Sequence, residues 1–244
     1  MILNVIGSSP AWPNPGQPQA GYLLSQSEPD SRLLLDCGPG VLSHLRGGRH
    51  LPVGGVVISH LHLDHWGDLV PWCWFAASRP EEHGTDPQLW LPPGGHERLC
   101  EFGRVFARED MLDLAFTVGE YRPNEPFSTA GFTIEARKVI HFGHDAFGLR
   151  VTDRDGAVVA YSGDSGPGRQ LADLFRDADL AICEATLGAA SDDGVPRGHL
   201  TTAEAVQATH GTRQLLLTHR PYDLPDPGGM DVAYPGLELR FERP

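Results

Sequence analysis

The residues Val56-Val57-Ile58-Ser59-His60-Leu61-His62-Leu63-Asp64-His65 join a short apolar run to a dense group of metal-binding side chains. Three consecutive β-branched residues predict a buried strand. Three histidines and an aspartate then fall within six positions. In a loop, the alternation His60-x-His62 and the adjacent pair Asp64-His65 can aim two sets of donors at two neighbouring points. Imidazole and carboxylate suit zinc or iron, whereas calcium and magnesium prefer oxygen alone. The stretch therefore reads as a strand that delivers a metal site.

The same plan recurs along the chain. Apolar runs at 157–161, 180–183 and 214–218 end in Asp164, Glu184 and His219, and the alternating run 132–140 stops at His141. Strands that share a sheet edge bring such tips together. Two β-rich halves, roughly 1–125 and 126–244, each with its own helices, predict two sheets face to face with helices outside. No linker separates them, so a single domain is expected over 1–244.

The remaining pattern fills in around this core. Residues 2–6, 22–24 and 32–35 read as strands, and the last runs into Asp36-Cys37-Gly38-Pro39-Gly40. No Lys-Ser/Thr follows these glycines, so a tight strand-to-helix turn is read rather than a phosphate loop. Helices are expected near 41–45, 69–77, 95–106, 168–175 and 201–209, the last capped by Thr201 or Thr202. A surface loop is read over 79–87, and 107–121 gives no periodic signal. Trp72 and Phe75 form a helical stripe suited to core or to a homodimer contact. Trp66, next to the ligand loop, is a candidate wall of a substrate pocket. His44, His50, His83, His96 and His210 read as exposed.

Bulk composition narrows the function classes. The formal charge is −13 and the chain has a single lysine, Lys138. A broad counterion-releasing footprint for nucleic acid is not visible. A small anionic substrate held by metal and a few arginines fits better. Cys37, Cys73, Cys100 and Cys183 lack paired spacing and read as buried free thiols. No apolar run approaches the ~20 residues of a membrane span, and residues 1–7 lack a signal-peptide pattern. A cytoplasmic location is expected.

The motif His60-Leu61-His62-Leu63-Asp64-His65 resembles the H-x-H-x-D-H signature of the metallo-β-lactamase superfamily. The likeness extends over nearly the whole chain and is greatest to the branch of ribonuclease Z and related cyclic-nucleotide phosphodiesterases. It implies a four-layer αββα sandwich of two mixed sheets, an α/β (α+β) fold. It also implies two divalent metal ions, zinc first, with manganese or iron as alternatives. Carried over residue by residue, His60, His62 and His141 match one ion's histidines, while Asp64, His65 and His219 match the other's set. Asp164 matches the carboxylate that bridges them. His144 competes with His141 for the third histidine, and Asp36 is expected to support the metal loop from below.

The resemblance also implies a chemistry. A hydroxide shared by the two ions is the nucleophile, with Asp64 accepting its proton. His199, in His199-Leu200-Thr201-Thr202, matches a histidine that protonates the leaving group, and Glu184 its carboxylate partner. The expected activity is hydrolysis of a P–O3′ bond. Ribonuclease Z enzymes carry a long basic arm between the third histidine and the Gly-Asp motif, and 142–163 leaves no room for one. A small cyclic nucleotide or similar diester is therefore favoured over RNA. Hydrolysis of a carboxyl ester, thioester or lactone is a second reading, and a non-enzymatic metal-binding protein a third.

Overall fold

The computed structural model describes residues 1–26, 31–190 and 197–241. Strands β1 (Ile2–Gly7), β2 (Gly21–Ser25), β3 (Arg32–Leu35), β4 (Gly55–Val57), β5 (Gln88–Leu91) and β6 (Thr117–Glu120) lie side by side in chain order. Strands β1 to β3 pair antiparallel and β3 to β6 pair parallel. The second sheet repeats this plan with β7 (Phe127–Thr129), β8 (Phe132–Lys138), β9 (Phe147–Thr152), β10 (Val158–Tyr161), β11 (Leu180–Glu184), β12 (Gln214–Thr218) and β13 (Asp231–Val232). Here β7 to β10 are antiparallel and β10 to β13 parallel. The last strand, β14 (Glu238–Arg240), returns to the first sheet beside β1. Two mixed seven-stranded sheets result.

Burial follows sequence pattern. Strand β8 alternates inward and outward residues, whereas every residue of β10 and β11 is buried. Parallel strands covered on both faces need continuous apolar runs. Leu3, Tyr22, Leu33 and Tyr121 from the first half meet Phe147, Leu149, Ile182 and Leu216 from the second between the sheets. Helices α1 (Val41–Gly47), α3 (Leu69–Ser78) and α5 (Gly95–Gly103) pack on the outer face of the first sheet through Leu45, Leu69, Trp72 and Leu99. Helices α6 (Arg169–Phe175) and α7 (Thr202–Ala208) cover the second through Leu171, Leu174 and Ala205. The four layers are helix, sheet, sheet, helix.

Several details differ from the sequence reading. Segment 79–87 is not simply a loop: it holds a single helical turn, α4 (Pro80–His83). His83 is buried, with its ring 5.7 Å from that of Phe75. His44 and His210 are exposed, but His50 and His96 are half-buried. Segment 107–121 forms turns that bury Met111, Leu112, Ala115 and Phe116 and then supplies β6. Trp72 and Phe75 are 1% and 6% exposed, so these two side chains belong to the chain's own core. Among the described residues, no helix is long and apolar enough to cross a membrane.

Candidate metal centre

The strand ends that the sequence marked converge at the seam between the two sheets. Asp36 follows β3, His60 lies three residues beyond β4, and His141 three beyond β8. Asp164, Glu184 and His219 stand at the C-terminal ends of β10, β11 and β12. Asp64 and His65 sit in the one-turn helix α2 (Leu63–Trp66), with His62 just before it. This helix rests on the turn after β3. Cys37 N–H donates to the His65 carbonyl (2.7 Å), and Asp68 N–H to the Cys37 carbonyl (3.0 Å). A Cβ at Gly38 would lie 1.9 Å from the Asp64 carbonyl oxygen, so only glycine allows this approach.

Among the described residues, donor atoms fall into three groups, each within 4.8 Å: His60, His62, His141 and Asp164; Asp64, His65, Asp164 and His219; and Glu184, His199 and His219. Asp164 belongs to the first two. Its Oδ2 lies 3.8 Å from His60 Nε2 and 3.4 Å from His65 Nε2, and its Oδ1 lies 3.6 Å from His219 Nε2. His144 is exposed and stands outside these groups, while His141 is 1% exposed within the first.

Hydrogen bonds behind the histidines set their ring orientation. His65 Nδ1–H donates to Asp36 Oδ2 (2.7 Å), and His141 Nδ1–H to the Gly198 carbonyl (2.8 Å). The Thr186 hydroxyl donates to Glu184 Oε2 (2.7 Å), so it accepts from His219 Nδ1–H (2.9 Å). The Ser59 hydroxyl donates to Asp36 Oδ2 (2.8 Å) and accepts from His60 Nδ1–H (3.1 Å). Each network assigns the outer nitrogen a proton and turns Nε2 inward, where its lone pair is free once any proton there has left. Asp36 also accepts from Ser59 N–H (2.7 Å) and the Tyr161 hydroxyl (2.8 Å).

The inward atoms fit cations better than one another. His60 Nε2, His65 Nε2 and Asp164 Oδ1 are buried without a well-formed hydrogen bond. His219 Nε2 faces Asp64 Oδ2 at 3.0 Å, and His141 Nε2 faces His62 Nδ1 at 2.8 Å. With the His219 proton on Nδ1, its Nε2 lone pair aimed at the Asp64 carboxylate is costly unless positive charge lies between them. Burial depresses His60 well below the usual histidine range and takes His62 down to about 4, helped by His141. Both are neutral at pH 7, as ligands must be. Burial opposes charge on His65 too, but Asp164, Asp64 and Asp36 together raise it well above the usual range. Burial likewise opposes ionisation of Asp164, yet His219 and His65 hold it well below the usual carboxylate range. Such a set of nitrogens and carboxylates is a fit for divalent cations of the zinc, iron or manganese type.

Beside the cluster, Glu184 is fully buried and accepts four hydrogen bonds. These come from Ser165 N–H (3.1 Å), Thr186 N–H (3.0 Å), the Thr186 hydroxyl and His199 Nδ1–H (3.0 Å). The His199 ring stacks at 5.7 Å on that of His219. Trp66, in contrast, is no pocket wall. It is 5% exposed, donates to the Leu61 carbonyl (3.1 Å) and packs edge-on to Phe102, which fixes the ligand loop from behind. Ser59 and Thr186 were missed in the sequence, where nothing but their position next to His60 and Glu184 marks them.

A family model described as the beta-lactamase superfamily domain matches residues 31–220. The chain belongs to this superfamily. Superfamily relatives include an uncharacterized protein of Mycobacterium tuberculosis, 37% identical over 90% of this chain and 80% of that protein. Another is the probable metallo-hydrolase YhfI of Bacillus subtilis, 33% identical over 91% of this chain and 88% of its own length. The crystal structure of YhfI superposes with a TM-score of 0.79, covering 98% and 99% of the two chains at 27% identity. The fold is shared as well with the short form of human tRNase Z, at a TM-score of 0.75, 21% identity and full coverage of both chains. A diphosphatase of the PhnP family matches at 0.74 and 20% identity, over 99% and 98% of the chains. Superfamily membership makes this chain a metallo-hydrolase, and its His/Asp clusters are those of a divalent-metal site.

Proposed function

We propose that the chain is a binuclear metal-dependent phosphodiesterase acting on a small diester. In this reading His60, His62 and His141 hold one cation, Asp64, His65 and His219 hold the other, and Asp164 bridges them. Zinc is the first candidate, given the share of imidazole. When bound, the cations supply water activation and neutralise charge that gathers on the phosphoryl oxygens. Asp64, at the wall of the site, accepts the proton of the attacking water. His199, held through Nδ1 by Glu184, turns Nε2 toward the leaving oxygen and gives it a proton.

One observation carries the reading: the half-buried His199, 3.0 Å from the fully buried Glu184, stands against the cluster through the stacked His219 ring. Poor alkoxide leaving groups need such a donor, whereas activated acyl groups do not. The chain between His141 and Asp164 is a five-residue loop region and the β9–β10 hairpin, which leaves no arm for gripping RNA. The solved structures named above include a tRNase and a diphosphatase, so both large and small phosphate substrates occur on this fold. The acidic charge of −13 favours the small ones.

The test is a panel of zinc- or manganese-loaded protein against cyclic AMP, an aryl phosphodiester, pre-tRNA and an acyl ester. Cyclic AMP or the aryl diester is expected to react fastest. A dominant pre-tRNA rate would select the ribonuclease Z reading, and a dominant acyl rate the ester-hydrolase reading. In His199→Ala, turnover of a diester with a poor leaving group should fall by about 10²–10⁴-fold, with a smaller loss on the aryl diester. Equal losses on both would remove His199 from the proton-donor role.

A further inference from the structure

Phe142 lies immediately after His141 and is held in an unusual state. Its φ is 46°, a left-handed backbone that is a genuine outlier for a bulky residue. Such strain persists where the surroundings enforce it, and it concentrates at functional sites. Here the enforcement is visible. A Cβ at Gly198 would lie 2.2 Å from the Phe142 ring, so the ring seats itself on a position that only glycine leaves open. Gly198 in turn accepts from His141 Nδ1–H and directly precedes His199.

The ring touches both histidines that flank the reacting centre. Its centroid is 4.9 Å from that of His141 at 53°, and 5.4 Å from that of His199 at 77°. Yet Phe142 remains 37% exposed, while His141 beside it is 1% exposed. A buried ring in this place would be packing. A strained ring that keeps exposed apolar surface at the rim of a charged site is suited to contact with something flat.

We propose that Phe142 is a specificity-determining residue: a stacking face for an aromatic ring carried by the substrate, which makes nucleotide or aryl diesters the preferred class over sugar or lipid diesters. This rests on the phosphodiesterase reading for its location, because the ring borders both a candidate ligand and the candidate proton donor. Ring-on-ring stacking of this kind tolerates every base, since each has a π-face.

Equilibrium binding to zinc-loaded protein tests this without any turnover. Adenosine 5′-monophosphate and ribose 5-phosphate present the same phosphate and sugar and differ by the base. Wild type should bind the first about tenfold or more tighter. Phe142→Leu should erase most of that ratio while leaving ribose 5-phosphate binding unchanged, and Phe142→Trp should keep it. Because each ratio is taken within one protein preparation, partial misfolding cancels. Equal binding of the two ligands by wild type overturns the proposal, as does an unchanged ratio in Phe142→Leu. Should no diester be hydrolysed while the ratio behaves as expected, the activity reading fails and the stacking face stands. For diesters that are hydrolysed, the loss in Phe142→Leu should appear in KM for cyclic AMP and not for a non-aromatic diester. A uniform fall in kcat for both would instead make Phe142 a support for His199.

Discussion

At the scale of single residues, the site is organised by side chains that never face the cluster. Asp36 collects four donors from Ser59, His65 and Tyr161, and its own backbone is left-handed at φ 59°. Asparagine tolerates that backbone, so Asp36→Asn removes the charge and one of the two acceptor oxygens without breaking the turn. The expected result is a 10–100-fold loss of cation affinity, read by competition with a chromogenic chelator, at unchanged far-UV circular dichroism. Affinity equal to wild type would mean that the Asp36–His65 contact supports the fold alone. Asp36 was expected as a support for the loop only through the family resemblance, since the residues alone read as a tight strand-to-helix turn. Ser59 and Thr186 were not, since a hydroxyl that orients an imidazole has no sequence pattern of its own.

At the scale of elements, the parallel strands were the most legible feature, because strands covered on both faces must be apolar throughout and their polar tips stand out. Short edge strands such as β7, β13 and β14 carry two or three residues each and leave almost no periodic signal. Tertiary packing also overrode surface appearance at Trp66 and His83, both of which are buried. Helix α7 shows what a well-marked element gains. Thr201 accepts from Glu204 N–H, and Glu204 accepts from Thr201 N–H, a reciprocal cap two residues after His199. A hydrogen bond from Arg197 is the main reason that Glu204 falls from 4.5 to about 2, with the Thr201 bonds adding to it against a burial penalty. Above pH 4.5 this stabilisation is complete. As pH falls from 4.5 toward 2, the unfolded chain takes up the proton first and the stabilisation drains away. Glu204→Gln should therefore lose less stability than wild type over that window, measured as the urea midpoint against pH. Parallel curves would contradict the assignment.

For the whole molecule, the two candidate cation sites draw donors from both halves of the sandwich: His60, His62, Asp64 and His65 from the first, His141, Asp164 and His219 from the second. Cations bound there tie the halves together and favour the folded state alone. With free ion at a hundredfold the dissociation constant, one site contributes about 2.7 kcal/mol, or roughly 5–10 °C for a chain of this size. Stripping both sites with a chelator should lower Tm by about twice that amount, and added zinc should restore it. An unchanged Tm would show that the clusters do not hold ions under those conditions.

The same seam has a second bearing. Any slide of one sheet across the other alters the spacing of the ion-holding groups directly, since they ride on opposite slabs. The apolar filling between the slabs, Leu33 and Tyr22 against Leu149 and Ile182, thus acts as a set of distant adjusting screws. Sequence drift in that filling can retune the reaction chamber from many residues away, with every reactive group left as it was.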